Sequence, residues 1–566
     1  MPTPGPRSAT RSRKIRKTDR SDSLAATLNR EKSLARFRDE EFDLAVIGAG
    51  INGAAVARDA SMRGLKVALI DRGDFAGATS SRSSKLIHGG FRYLPQGQFK
   101  LVYEALRERE RLRHRTAPHL VHPIQFLFPV YRRRGFNRFT MAMGLTLYDL
   151  FARMPFKEWH SSLNASEVRE TEPALSREGL TGGAMYFDAW ADDARVTFEN
   201  VLDADLHGAA VANYTAVESF GVIDGKIASA SVRDLIGGAV GEVRAKKFLN
   251  AAGPWVDDIR RMDDPASKPC VRLTKGVHLV FARTVLPVRE SLVLADERGR
   301  IVFVMPHDRY VLVGTTDTDF TGDPASVRTE IGDVEYLIAV LAESLPGIKL
   351  TSADVATSFA GLRALIREDK EAPSSVPREE VILESASGLI TVAGGKFTTH
   401  RAIAQKLVDR VMKELGRRVG VCPTLTTPFP GARPLADGDN SGGGATISMR
   451  SIPAASAEIL KARYGTRAPI VARIAARQPE LAEPLSRNCP AIGAEVVNAV
   501  GNEMAHSVGD FLIRRTSLSW RSPVEAEAAA SAVARIMAAE LGWDRARETA
   551  EVASFTHEQQ SRRVVA

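Results

Sequence analysis

Hydrophobic positions first become regular at Phe42. FDLAVIG, residues 42–48, is a short aliphatic run ending in glycines, the signature of a parallel strand buried on both faces. From Gly53 to Arg63 the residues Ala54, Val56, Ala57, Ala60 and Met62 take helical spacing, with Gly64 just past the end. KVALID, residues 66–71, is a second buried strand, and together these pieces make one βαβ unit. Farther on, the pattern predicts a helix over 196–207 and strands over 211–220, 226–232 and 246–253. IVFVMP and YVLVGTTD (301–306 and 310–317) read as an antiparallel pair. FPGARPLADGDNSGGG, residues 429–444, has linker composition. Helical patterns then dominate residues 452–541. The last predicted helix has a capping box of Ser522, Pro523 and Glu525 and is closed by Gly542. The expected domains are a disordered basic extension (1–41), an interleaved cofactor and substrate domain (42–428), a linker (429–444) and a helical C-terminal domain (445–566).

Composition narrows the class. Of 566 residues, 44% are hydrophobic and 26% charged, which permits large cores and excludes a disordered, collagen-like or coiled-coil chain. The net charge of +9 is concentrated in residues 1–41, with eleven Lys/Arg against six Asp/Glu. The remainder is too mildly basic to imply nucleic acid as a partner. Three cysteines without a CxxC pair indicate neither a disulfide framework nor a metal site, and fit a reducing compartment. The longest apolar-leaning stretch, residues 139–151, falls short of the ~20 residues a bilayer span needs. Residues 126–159 interleave aromatic and aliphatic side chains with Arg132–Arg134, Arg138, Arg153 and Lys157, a composition that suits a membrane interface. RERERLRHR, residues 107–115, reads as a charged helix face.

Candidate chemistry starts at GAGING, Gly48-x-Gly50-x-x-Gly53, between strand and helix. Gly48 permits the tight turn, Gly50 lets backbone approach a pyrophosphate, and Gly53 lets helix and strand pack closely. Asp71 closes the second strand, where an acid accepts bonds from a ribose. A hydroxyl-rich segment, GATSSRSSKLIHGGFRYL (77–94), follows. Two distant glycine segments, LNAAGPWV (249–256) and VAGGKFTTHR (392–401), point to FAD rather than NAD, because FAD threads through the domain. No HExxH, Walker A or GxSxG motif occurs.

GAGING, SSRSSKLIHGGFRYL, FDAWADDAR, NAAGPWVD, KGVHLVF, GTTDTDF and GGKFTTHR, in this order, resemble the FAD-dependent glycerol-3-phosphate dehydrogenases of the aerobic, quinone-linked type. The resemblance runs from Phe42 to the C-terminus. It departs at Ala364, where the family has proline, and the family's mitochondrial branch has an EF-hand that this chain lacks. The resemblance implies an α/β and α+β fold: a Rossmann-like FAD domain of the D-amino-acid-oxidase type, a mixed-sheet substrate domain and an all-helical C-terminal domain. It implies FAD contacts from Gly48, Gly50, Asn52, Gly53 and Asp71, and from Thr79, Ser80, Ser81, Ser84, Lys85, His88, Gly89 and Gly90. Further contacts are implied from Ala252 and Gly253, and from Gly394, Gly395, Lys396, Phe397 and Thr398. Glycerol 3-phosphate is the implied substrate, and its dianionic phosphate calls for several fixed cations. Arg92, Arg363, Arg378 and Lys396 are the candidates, with Tyr93 beside them. His278 and His88 are candidates for the base that takes the C2 hydroxyl proton, and Arg363 is an alternative that eases proton loss. The resemblance also implies a quinone acceptor and peripheral attachment to an anionic membrane surface on the cytoplasmic side, and it allows a homodimer; no metal is expected, because His114, His119 and His122 have no metal-ligand spacing with cysteine or carboxylates. An oxygen-using glycerol-3-phosphate oxidase is the competing reading. An inactive flavoprotein regulator or scaffold is the reading of a different class.

Overall fold

The computed structural model describes residues 28–94, 96–132, 137–367, 380–433, 449 and 452–563, with the Arg92 side chain outside the description. A six-stranded sheet runs in the order Glu380–Glu384, Leu389–Gly394, Phe248–Asn250, Leu44–Ile47, Val67–Ile70, Ala210–Ala212. Its strands are parallel except for the first pair, and LAVI and VALI are buried on both faces, as their unbroken aliphatic runs predict. The predicted helix is Ile51–Met62, packed between this sheet and the helices Asp193–Leu206 and His400–Glu414.

A second sheet is larger and mixed. Near one end of it Val271–Ala282 runs antiparallel to Tyr310–Gly314 on one side and to Val355–Ile366 on the other. The predicted pairing of Ile301–His307 with Tyr310–Gly314 is present. A four-stranded sheet of Glu41–Phe42, Val240–Ala245, Lys226–Asp234 and Thr215–Ile223 completes the β-structure. The strand expected over 211–220 is broken at Tyr214, whose φ is +50°. Ala210–Ala212 thereby joins the parallel sheet, and Thr215–Ile223 the four-stranded one.

Two expectations are corrected. Order begins within the supposed tail: Asn29 caps a helix, Arg30–Asp39, by accepting from Lys32 N–H at 2.9 Å. Leu28 and Phe37 are buried, and Arg30 reaches Asp234 at 2.6 Å and the Asn213 carbonyl at 2.9 Å. Residues 1–27 lie outside the described residues. At the other end, Pro523–Leu541 is helical and Gly542 closes it with φ +71°, but Ser522 makes no capping bond. Glu525 is drawn instead to Arg309 at 2.5 Å. A further helix, Arg545–Ser561, follows and packs Phe555 into a core with Val496, Phe511 and Val533. Most of the linker, residues 434–448, lies outside the described residues.

Candidate active site

The glycine turn follows its stereochemistry closely. Gly48 has φ +100°, and a Cβ there would lie 2.6 Å from the Ala251 carbonyl oxygen, which only glycine avoids. A Cβ on Gly53 would lie 1.9 Å from the Gly48 carbonyl, so this residue fixes the packing of helix on turn. Gly50 caps the helix, and Ser80 Oγ accepts from Ile51 N–H at 2.9 Å, which seats the hydroxyl-rich segment on the helix N-terminus. Asp71 closes its strand, and its carboxylate clasps the turn from below, accepting from Ala49 N–H at 2.6 Å and Gly73 N–H at 2.8 Å. Desolvation pushes its carboxyl up to about 6, against the lowering pull of those two N–H groups.

From this turn an open cavity of about 270 Å³ runs along the strand Val355–Ile366. Of the residues expected to bind cofactor or substrate, Gly50, Asn52, Thr79, Ser80, Ser84, His88, Gly253, Arg363, Gly394, Gly395, Lys396, Phe397 and Thr398 line it. Gly48, Gly53 and Asp71 build the turn behind it. Ser81, Lys85, Gly89, Gly90, Tyr93, Ala252 and His278 stand outside its wall. Lys85 is held away by chemistry: its ammonium pairs with Asp193 at 2.6 Å and donates to the Ser81 carbonyl at 2.6 Å, beneath Phe359. Tyr93 still touches the site, because its ring lies 4.0 Å from Lys396 Nζ. Arg378 lies outside the described residues, as does the side chain of Arg92.

Distant motifs are stitched together here. Thr398 Oγ1 accepts from His88 N–H at 3.2 Å and donates to the His88 carbonyl at 3.3 Å, joining HGG to GGKFTT. Thr79 Oγ1 donates to the Leu362 carbonyl at 2.7 Å. The Arg363 guanidinium is oriented by Asp317 Oδ1 at 3.2 Å and Thr315 Oγ1 at 3.0 Å. It fits because Gly276 faces it: a Cβ there would lie 2.4 Å from Arg363 Nη2.

The two candidate histidines separate. His88 is in the cavity wall, edge-on to Phe303. His278 is 2% exposed, stacked on Phe359 at 4.9 Å, with Nε2 2.8 Å from the Ser84 hydroxyl. Burial, reinforced by Arg363 and Lys85, holds it well below the ordinary histidine range, so it is neutral. Ser84, not His278, meets the cavity. Arg82 also lines the wall. Burial, with Arg562 adding to it, pushes Arg82 down to about 10. The only sequence signal for it is its position inside the SSRSSK string.

The wall suits a flavin dinucleotide. The helix N-terminus and the Cβ-free approach at Gly50 fit a pyrophosphate. Asn52 Oδ1 is buried at the cavity with no hydrogen-bond partner among the described residues. The FAD dependent oxidoreductase family matches residues 43–410, and the C-terminal domain of alpha-glycerophosphate oxidase matches residues 422–548. The aerobic glycerol-3-phosphate dehydrogenase of Staphylococcus haemolyticus is 37% identical over 513 residues, 87% of this chain and 89% of that one. Its Bacillus subtilis counterpart is 37% identical over 502 residues, 87% of this chain and 90% of that one. The crystal structure of glycerol-3-phosphate dehydrogenase from Bacillus halodurans, complexed with FAD, has a TM-score of 0.78 at 31% identity. It covers 95% of this chain, and the match takes in 98% of that one. FAD is therefore the cofactor, and this chain belongs to the FAD-dependent oxidoreductases and, within them, to the aerobic glycerol-3-phosphate dehydrogenase family.

Proposed function

We propose that the chain oxidises sn-glycerol 3-phosphate at C2 to dihydroxyacetone phosphate and passes the two electrons to a quinone in the membrane. The observation that carries the reading is one cavity wall holding Arg363, Lys396 and His88 beside the glycine turn. Bound FAD supplies the acceptor for the hydride that leaves C2. The chain's own residues divide the remaining work. Arg363 and Lys396 hold the phosphate, which carries about −1.5 to −2 charge, and Arg92 and Arg378 are assigned to the same anion. His88 takes the C2 hydroxyl proton. His278 is a positioning residue, because its ring reaches the cavity only through the hydroxyl of Ser84. Thr79, Ser80, Asn52, Gly394 and Gly395 hold the cofactor.

A membrane acceptor is favoured over oxygen by the helix Arg138–Ala152. Phe139, Met143 and Leu150 lie on one face and are 73%, 57% and 55% exposed, with Phe156 just beyond. Arg138, Arg153 and Lys157 flank them, also exposed. Apolar side chains ringed by cations suit insertion into an anionic interface, on the cytoplasmic side of the cell membrane. No helix among the described residues is long and apolar enough to cross a membrane.

The substrate assignment is tested by Arg363→Ala. Removing one partner of a desolvated charge pair costs about 2–5 kcal/mol. The variant should lose well over tenfold in kcat/KM on glycerol 3-phosphate and little on unphosphorylated glycerol. Equal losses on both substrates would show that Arg363 does not read the phosphate.

A further inference from the structure

The loop that follows Asp71 is held from above by the C-terminal helical domain. Asp74, 3% exposed, accepts from Arg514 Nε at 2.6 Å and from both terminal nitrogens of Arg515 at 2.8 and 2.9 Å. Arg514 also pairs with Asp510, which Tyr214 Oη meets at 2.6 Å, and Arg515 donates to the Glu503 carbonyl at 2.7 Å. Burial alone would raise the Asp74 carboxyl, but the two guanidiniums outweigh it and hold it ionised. The same loop is tied to the glycine turn at both ends. Asp71 accepts from Ala49 N–H, and Ala76 N–H donates to the Ala49 carbonyl at 3.2 Å.

We propose that Asp74, Arg514 and Arg515 form a brace by which the C-terminal domain sets the affinity of the glycine turn for FAD. All three are positioning residues. A buried carboxylate is tolerated only with its cations in place, so the loop has one arrangement when the domain is docked and none that is equally satisfied without it. Because Ala49 is held by this loop through both its N–H and its carbonyl, a shift at Asp74 is felt one residue from Gly48 and Gly50. FAD binding and the docking of the C-terminal domain are thereby coupled and stabilise each other.

The proposal rests on the glycine turn being the FAD site, and Gly50→Val tests that separately. A Gly50→Val protein that still holds FAD would sink the site, whereas the brace is judged on Arg515. Arg515→Met should raise the Kd for FAD roughly tenfold, at the low end of usual coupling between sites. It should also shrink the rise in Tm that FAD produces over the apoprotein, and leave KM for glycerol 3-phosphate unchanged at saturating FAD. Equal falls in Tm with and without FAD, at an unchanged Kd, would show a contact that merely docks two domains and would overturn the proposal. If Arg515→Met is insoluble, Arg515→Lys, which keeps the charge but loses the fork, is read by the same two numbers. An unchanged Kd there overturns the brace equally.

Discussion

His278 is legible in kind from the sequence, whereas its surroundings are set by the fold. The string KGVHLVF announces a histidine in a buried strand, and the strand Val271–Ala282 places it there. What the string cannot announce is that register with Val355–Ile366 sets Phe359 opposite His278, so the ring is stacked and shut off from the cavity. The glycines of GAGING were readable individually, because each position demands a missing Cβ for a local reason. Arg363 was readable as a cation in an apolar context, but its orientation by Asp317 and Thr315 depends on folding. Neutral His278 has a consequence for acid stability. Its folded pKa lies below its unfolded value near 6.5, so below that pH the unfolded chain binds a proton that the folded one does not. The stability it contributes is full above pH 6.5 and is lost as pH falls, by up to about 1.4 kcal/mol per pH unit for one proton. His307 and His400, both pushed down to about 4 by burial, act in the same window. His278→Gln, whose amide can still reach Ser84, should therefore flatten the fall in Tm between pH 6.5 and 5 without abolishing it. The same variant should keep most of its kcat. A general base would lose about 10²–10⁴-fold, and such a loss would return the proton-accepting role to His278.

The helix Arg138–Ala152 is the element whose two faces had to be told apart. Met141, Leu145, Tyr148 and Ala152 are buried, and Phe139, Met143 and Leu150 face outward. Both sets are apolar, so the interleaved composition of residues 126–159 did not tell which stripe meets the protein. The inner face is fixed by Tyr148, whose Oη accepts from Gly89 N–H at 2.8 Å and donates to Asp188 at 2.8 Å. The outer stripe is the face we propose for lipid. Each large side chain moved from water into an apolar medium gains about 1.5–3 kcal/mol, and each flanking cation near anionic lipid about 1 kcal/mol. Replacing Phe139, Met143 and Leu150 together by serine should lower partitioning onto anionic liposomes by well over a hundredfold. FAD content should be unaffected, because these side chains face away from the core. A flotation gradient reads this directly. A triple variant that floats as well as its parent would remove this helix from the interface. The opposite lesson comes from Arg30–Asp39, where a basic run hid an ordered helix. Its Asn29 cap and the Leu34–Phe37 spacing were the signals, outweighed by the surrounding charge.

At the scale of the whole molecule, the cavity draws on residues from Gly50 to Thr398, and no local pattern brings them together. Their order along the chain, matched to a family, did so. Charge was the least legible quantity. RERERLRHR reads as a solvated face, yet Arg109 is fully buried against Asp188 at 2.6 Å, and Glu108 pairs with Arg401. Arg58 with Asp203, Arg195 with Glu503, and Arg515 with Asp74 repeat the theme. Such pairs are made between elements distant in sequence, and a long charged side chain read alone defaults to the surface. Anaerobic mixing of the FAD-loaded protein with sn-glycerol 3-phosphate tests the proposed reaction most directly. The account predicts that the oxidised-flavin absorption band is bleached with formation of one dihydroxyacetone phosphate per flavin. It predicts that an added quinone analogue then restores the band far faster than air does, with little peroxide released. A band that substrate leaves unchanged would contradict the central claim, and rapid reoxidation by oxygen with stoichiometric peroxide would replace the quinone by the oxidase reading.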